Sequence, residues 1–266
     1  MSIKMGFIAP PDLTEGPSRQ APPIPDPPRP SLVEVYFPER EARYTYYNDR
    51  YDLQLGDAVF VEGKLEGVRG RVTGINYAFK IKLSDYKKVI YRAETHFIGT
   101  LAIAGSHFIT DDPGVLSFSM VQGWLMPPPN SDDVVFGGGD EPFPLDDLVQ
   151  SGIPQHIAAR GHEYFSHNRV LCIEKIGVHC RALVDGTQPY TVEWDLKNGM
   201  VSNLVCDCYC PGRCKHQFAA LLQLQESLDA ADRMGWSTED YLMVVSKSLV
   251  YEMAVMGRQS GEILFN

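Results

Sequence analysis

Between Cys206 and His216 the chain places four cysteines and a histidine within eleven positions, Cys206-Asp207-Cys208-Tyr209-Cys210-Pro211-Gly212-Arg213-Cys214-Lys215-His216. An apolar helical run from Gln217 to Leu228 follows at once. Thiolate and imidazole are the donors that a borderline-soft zinc ion prefers, and four of them held tetrahedrally leave no coordination position open. The expectation is therefore one Zn2+ with a structural role.

The spacing shows how such a site is made. Cys206 and Cys208 close the strand-like run Met200 to Val205, where the chain can curl and bring side chains two apart onto one ion. Residues two apart on a formed helix are turned about 200° from each other, so Cys214 and His216 converge only at the helix entrance, before its first turn closes. Pro211 and Gly212 supply the reversal between the halves. Two ligand sets stay open: Cys206, Cys208, Cys214 and His216, or Cys208, Cys210, Cys214 and His216, the second leaving only Pro211, Gly212 and Arg213 between the halves. Zinc with three thiolates and a neutral imidazole carries a net charge of about −1, which Arg213, Lys215 and the positive end of the following helix are placed to offset.

Upstream, Arg160-Gly161 and Tyr164-Phe165 lead into Asn168-Arg169-Val170 and four apolar runs: Val170 to Ile176, His179 to Val184, Tyr190 to Leu196 and Met200 to Val205. Gly177, Asp185-Gly186 and Asn198-Gly199 separate them as hairpin turns do. The pattern predicts a short helix, a four-stranded antiparallel meander, a cysteine knuckle and a closing helix over residues 151–230. Cys-x-Cys, five intervening residues, Cys-x-His and a helix such as Phe218 to Leu224 resemble the SWIM zinc finger, and the resemblance covers about a third of the chain. It favours Cys206, Cys208, Cys214 and His216 as the ligands, with Cys210 a spare thiol that could swap in or be oxidised. It also implies binding of DNA or of protein, often beside helicases, transposases and recombination factors.

The other cysteines, Cys172 and Cys180, fall on neighbouring expected strands and read as small buried hydrophobes. No secretory signal is recognised and no apolar run approaches the roughly 20 residues of a membrane span, so the chain is expected to be cytoplasmic, reduced and free of membrane. A disulfide-stapled loop is correspondingly disfavoured.

The formal net charge of −10 is concentrated in one segment. Residues 93–150 hold nine carboxylates and no Lys or Arg, while the flanking segments are close to neutral. Residues 1–30 carry nine prolines and read as a disordered leader. From Leu32 to Arg92 the apolar period becomes two, in Val33 to Phe37, Tyr44 to Tyr46, Ala58 to Val61, Arg71 to Thr73 and Phe79 to Leu83, with Gly56-Asp57, Gly63, Gly67 and Gly70 between. Residues 31–92 are thus expected to form a small β-barrel. Tyr44 to Tyr46, Leu55 to Val61 and Gly70-Arg71-Val72 are similar to the N-terminal domain of primosomal helicases and to KOW-type barrels.

The barrel segment also interleaves cations with aromatics at Tyr77, Lys80, Lys82, Tyr86, Lys87, Lys88, Tyr91 and Arg92. Lys80, Lys82, Lys87, Lys88 and Arg92 are the candidate phosphate contacts of a backbone-tracking, base-stacking surface. The alternative is that Lys80 and Lys82 are the solvated face of a strand whose Phe79, Ile81 and Leu83 point inward.

Residues 93–150 are expected to be an acidic connector with packed structure at Phe97 to Ile109 and Val115 to Leu125. After the zinc helix, Ser237-Thr238-Glu239-Asp240 followed by Tyr241, Leu242, Val245, Leu249, Met253 and Met256 predicts a further helix within residues 231–266. The expected class is α+β: a small N-terminal β-barrel, then a SWIM module of meander, knuckle and helix, with an added C-terminal helix.

Enzyme chemistry finds little purchase. His162 and His167 are five residues apart, turned about 140° on a helix, where the paired histidines of a zincin need four. No phosphate-cradling loop, no nucleophile with a base and no site for a small-molecule substrate is recognised. The expectation is a non-catalytic accessory factor that binds DNA or RNA. Its alternative is a protein-interaction adaptor in which zinc only builds the scaffold.

Overall fold

The computed structural model describes residues 28–80, 85–128, 141–257 and the backbone of 263–265. Lys82, most of the proline-rich leader (1–27) and most of the later acidic stretch (129–140) lie outside the described residues.

The four runs that precede the cysteines form strands β9 (Val170–Ile176), β10 (His179–Val184), β11 (Tyr190–Lys197) and β12 (Met200–Cys206), each antiparallel to the next. Asn198 and Gly199 both take positive φ, 52° and 76°, which is the demand of a tight turn whose twist matches its strands. Helix α2 (Gln155–Ser166) precedes the meander, and α3 (Lys215–Arg233) follows the cysteine loop. The two helices pack so closely that a Cβ on Gly161 would lie 2.7 Å from Cβ of Phe218. The element order expected over residues 151–230 is therefore the order found.

The sheet extends well beyond that meander. Strands β6 (Gly99–Ala104), β7 (His107–Thr110), β8 (Phe143–Pro144), β13 (Tyr241–Ser246) and β14 (Ile263–Phe265) bring it to nine, in the order β14-β6-β7-β13-β9-β10-β11-β12-β8. The pairing is antiparallel except for β14, which runs parallel to β6. The segment expected as a connector is thus built into the sheet through β6, β7 and β8, and adds helix α1 (Phe118–Leu125).

One expectation is corrected at the C-terminus. Tyr241 to Ser246 is a strand, not the first turns of a helix; only α4 (Lys247–Met256) is helical. All six residues of β13 are buried, because it lies between β7 and β9 with a layer of side chains on each face. Leu242 and Val244 point to one core and Met243 and Val245 to the other, which is why the run is continuously apolar instead of alternating.

On one face of the sheet α3 lays Ala219, Ala220, Leu221, Leu224, Ala230 and Ala231 against Ile173, Ala182, Val192 and Val244. On the other, Trp124 and Val121 of α1 and Leu249, Val250 and Met253 of α4 cover Phe108, Cys172, Leu183 and Met243. Burial pushes up the thiols of Cys172 and Cys180, as expected of packing residues. No helix among the described residues is long and apolar enough to cross a membrane.

Two adjacent charges inside β9 tie these layers together. Glu174, 3% exposed, accepts Phe118 N–H at 3.0 Å at the start of α1 and, on its Oε2, Arg181 Nε and Nη2 at 2.9 and 2.6 Å. Its neighbour Lys175 donates to the carbonyls of Gly177, Thr238 and Glu239 at 2.6, 2.6 and 2.9 Å, holding the entry to β13.

The N-terminal unit is a five-stranded antiparallel sheet, β2-β1-β4-β3-β5, made of β1 (Ser31–Phe37), β2 (Ala42–Asn48), β3 (Ala58–Val61), β4 (Gly70–Asn76) and β5 (Val89–Arg92). The expected barrel is not closed. Among the described residues, the β2 edge is bridged to the entry of β5 at Tyr47 and Lys88, where Tyr47 N–H donates to the carbonyl of Lys87 at 2.9 Å. The fifth strand is Val89–Arg92, whereas Phe79 and Lys80 are not in a strand and 81–84 lie outside the described residues. Tyr91 on β5 reaches α1, where a Cβ on Gly123 would sit 2.2 Å from its hydroxyl, so this sheet rests on the larger one through Ala58, Ala93 and Tyr91.

Candidate metal centre

The site sits where β12 runs out of the sheet. Cys206 still pairs with Val192, and the next residue keeps contact through Asp207 N–H to the Thr191 carbonyl at 3.1 Å and Thr191 N–H to the Asp207 carboxylate at 3.0 Å. The chain then leaves the sheet through Cys208 to Gly212 and returns as the N-terminus of α3, with Cys214 as its N-cap. The Cys214 sulfur accepts the Gln217 backbone N–H, and the Gln217 side-chain oxygen accepts the Cys214 N–H at 2.8 Å.

This folding brings one donor atom from each of Cys206, Cys208, Cys214 and His216 within 4.8 Å of one another, so a single cation could take all four. Nδ1 is the imidazole nitrogen that faces the sulfurs, 3.8 Å from Cys206 Sγ and 3.8 Å from Cys214 Sγ. Cys210 is exposed and stands outside the cluster. The structure thus gathers the first of the two ligand sets left open by the sequence.

Packing fixes the histidine ring. Tyr190 stacks on it at 4.6 Å between centroids and Tyr164 meets it edge-on at 5.4 Å. Nε2 is buried without a hydrogen-bond partner among the described residues, so aromatic contact does the orienting that a carboxylate performs in many metal-bound histidines. Tyr190 is itself positioned by Thr187, whose hydroxyl is 2.7 Å from its own, and by Gly186, where a Cβ would come within 2.6 Å of its ring.

The thiols do not ionise alike. Hydrogen bonding from Cys206, and then from His216, pulls the Cys214 thiol down to about 4. The same bond to Cys214, together with burial, pushes Cys206 up, and burial pushes Cys208 up to about 11. A cation bound among them is what would let all three thiols ionise side by side. Lys215, whose ammonium lies 4.3 Å from the Tyr164 ring centre, and Arg213, which donates to the Leu204 carbonyl at 3.0 Å, flank Cys214.

Gln217 was not singled out from the sequence. Its side chain is 4% exposed and joins the two halves of the cluster: Oε1 holds Cys214, while Nε2 donates at 3.2 Å to the carbonyl of Leu204, two residues before Cys206. Its signal was the capping-box spacing, with cysteine in the place usually held by serine or threonine. Gln217→Leu should weaken metal binding roughly 10- to 100-fold in chelator competition while the chain stays folded. An unchanged affinity would show that this frame does not position the ligands.

The cations proposed for phosphate contact are divided. Lys80 and Lys87 are exposed, but Lys88 is paired with Asp49 at 2.8 Å and Arg92 with Glu94 at 3.5 Å. Lys82 lies outside the described residues. Among the aromatics interleaved with them, Tyr91 is turned toward α1, and Tyr77, 40% exposed, has Arg29 at 5.0 Å from its ring centre.

No family model matches this chain, and neither a curated protein nor a solved structure does.

Proposed function

We propose that Cys206, Cys208, Cys214 and His216 hold one zinc ion as a structural centre of a SWIM-type module, and that the protein is a non-catalytic accessory factor that binds DNA or RNA. The observation that carries the zinc assignment is the convergence of the four donors. With zinc–sulfur bonds of about 2.3 Å and zinc–nitrogen bonds of about 2.0 Å, tetrahedral edges are about 3.8 Å between sulfurs and about 3.5 Å from sulfur to nitrogen. The two Nδ1–Sγ distances of 3.8 Å are close to that. Three soft thiolates with one imidazole favour zinc over the oxygen-seeking divalent ions. Four protein donors leave the ion no place for a substrate, which supports a structural role.

The nucleic-acid reading rests on the module's resemblance and on the exposed Lys80 and Lys87 beside aromatic side chains. It is tested by titrating zinc-loaded protein into labelled single- and double-stranded DNA and RNA across a salt series. The expected result is an affinity that falls steeply with salt and weakens when Lys80 and Lys87 are replaced by glutamine.

A second reading, the protein adaptor, is favoured by the Lys88–Asp49 and Arg92–Glu94 pairs, which take two of the five candidate cations out of phosphate contact, and by the net charge of −10. Absence of nucleic-acid binding even at low salt would establish it over the first.

A further inference from the structure

Beside the metal helix, α2 and α3 border an open groove of about 820 Å³. Phe218 and Leu222 of α3 and Ala158 and Ala159 of α2 give it an apolar floor, and Val149 and Ile153 form another wall. Its walls are held by contacts of their own. A Cβ on Gly161 would lie 2.7 Å from Cβ of Phe218, and the His162 ring meets the Phe218 ring edge-on at 5.1 Å between centroids, so the two helices are fixed against each other. The Asp147 carboxylate accepts the Val149 N–H at 3.2 Å and the Gln150 side-chain amide at 2.7 Å, while the Gln225 side chain donates to the Leu145 carbonyl and ties this segment to α3. Val149 nonetheless stands 91% exposed beside the apolar floor.

The charge on the groove has one sign. Asp146 and Asp147 line it, and no Lys or Arg among the described residues does. Asp146 is exposed and has no ion-pair partner among the described residues. With Gln225 it also lines the adjoining hollow beside Met200 and Leu228, where Asp229 adds a third carboxylate.

We propose that this groove docks an amphipathic helical segment of a protein partner, with apolar side chains laid on Phe218, Leu222 and Ala159 and a Lys or Arg set against Asp146. Charge selects this occupant. Carboxylates without a neighbouring cation repel phosphate, which disfavours nucleic acid and an anionic membrane surface here. A purely ionic ligand would leave the apolar floor uncovered, and a second copy of the chain, at net charge −10, brings an excess of carboxylates of its own. From Phe218 to Gln225 the groove follows α3 for about 10 Å, two helical turns, the scale on which a helix inserts anchors at i, i+3 or i+4 and i+7. The inference goes beyond the nucleic-acid reading, which concerns another surface, and gives the adaptor reading its site and its partner chemistry.

The test sets the full chain, reduced and supplied with zinc, against a random peptide library displayed on phage. The peptides enriched should carry apolar residues at helical spacing and more Lys and Arg than Asp and Glu. The best of them, synthesised with a fluorescent label, should bind with an affinity that falls as salt rises. Ala159→Arg, at an exposed position where the longer side chain would occupy the groove, should weaken that binding roughly 30-fold or more. Asp146→Lys should weaken it roughly 3- to 30-fold. Both variants should keep the wild-type zinc content and thermal transition. Failure to enrich any peptide, enrichment without an excess of cations, or binding that survives either substitution overturns the inference. Each of those results leaves the nucleic-acid reading to its own titration, and the adaptor reading would then need a different surface.

Discussion

If the proposed zinc site is occupied, Cys214→Ser should release the ion and unfold the end of the chain that depends on it, the largest effect expected of any single substitution here. Cys214 is 1% exposed and serves at once as a donor of the cluster and as the N-cap of α3. Serine caps a helix as well as any residue, so the helix start itself is not weakened by the change. On the zinc site proposed above, what is lost is one of four bonds to the ion, and a structural zinc contributes folding free energy of order 10 kcal/mol. The damage spreads because α3 covers one whole face of the meander with Ala219, Ala220, Leu221 and Leu224. In thermal unfolding, a chelator should lower the wild-type transition strongly and leave the Cys214→Ser transition where it is. Cys210→Ser, at an exposed position outside the cluster, should keep both the metal and the wild-type transition.

Glu174→Ala is expected to have the second largest effect, about 3 kcal/mol of unfolding free energy in a urea titration. The carboxylate is 3% exposed and holds three elements together: the first N–H of α1, the Arg181 fork on β10, and the Tyr241 hydroxyl at the start of β13, 3.4 Å away. Removing it leaves the Phe118 N–H buried without an acceptor and the Arg181 guanidinium without its partner. The Arg181 side chain is 42% exposed, so water recovers part of that loss, which places the cost at the lower end for a broken buried pair. Arg181→Ala strands the buried carboxylate instead, and the double variant should cost clearly less than the two singles added together. Additive losses would show that the pair is not coupled.

The parts of this fold that were legible in the sequence are local. The strands β9 to β12 were found to within a residue or two because Gly177, Asp185-Gly186 and Asn198-Gly199 mark each reversal. The metal cluster was legible because cysteine and histidine at these spacings near a strand end and a helix start converge through local geometry alone. What stayed hidden depends on pairing between distant segments. Tyr241 to Ser246 reads equally as a helix turn or a buried strand, and only its seat between β7, over 130 residues earlier, and β9 decides for the strand. Whether the N-terminal sheet closes depends on its two edges, which among the described residues are joined by the Tyr47–Lys88 bridge. Glu174-Lys175 sits where a charged pair normally marks a solvated face; both are buried because α1 and the entry to β13 supply partners that the sequence of β9 does not announce. Gln217 was obscured by its ordinary place in an amphipathic helix.

The central claim, one structural zinc held by Cys206, Cys208, Cys214 and His216, is tested most directly by counting metal. Purified, reduced protein examined by native mass spectrometry and elemental analysis should hold close to one zinc per chain, and Cys214→Ser well below that. Wild-type protein with well under one equivalent after zinc loading, or Cys214→Ser protein that retains a full equivalent, would contradict the account.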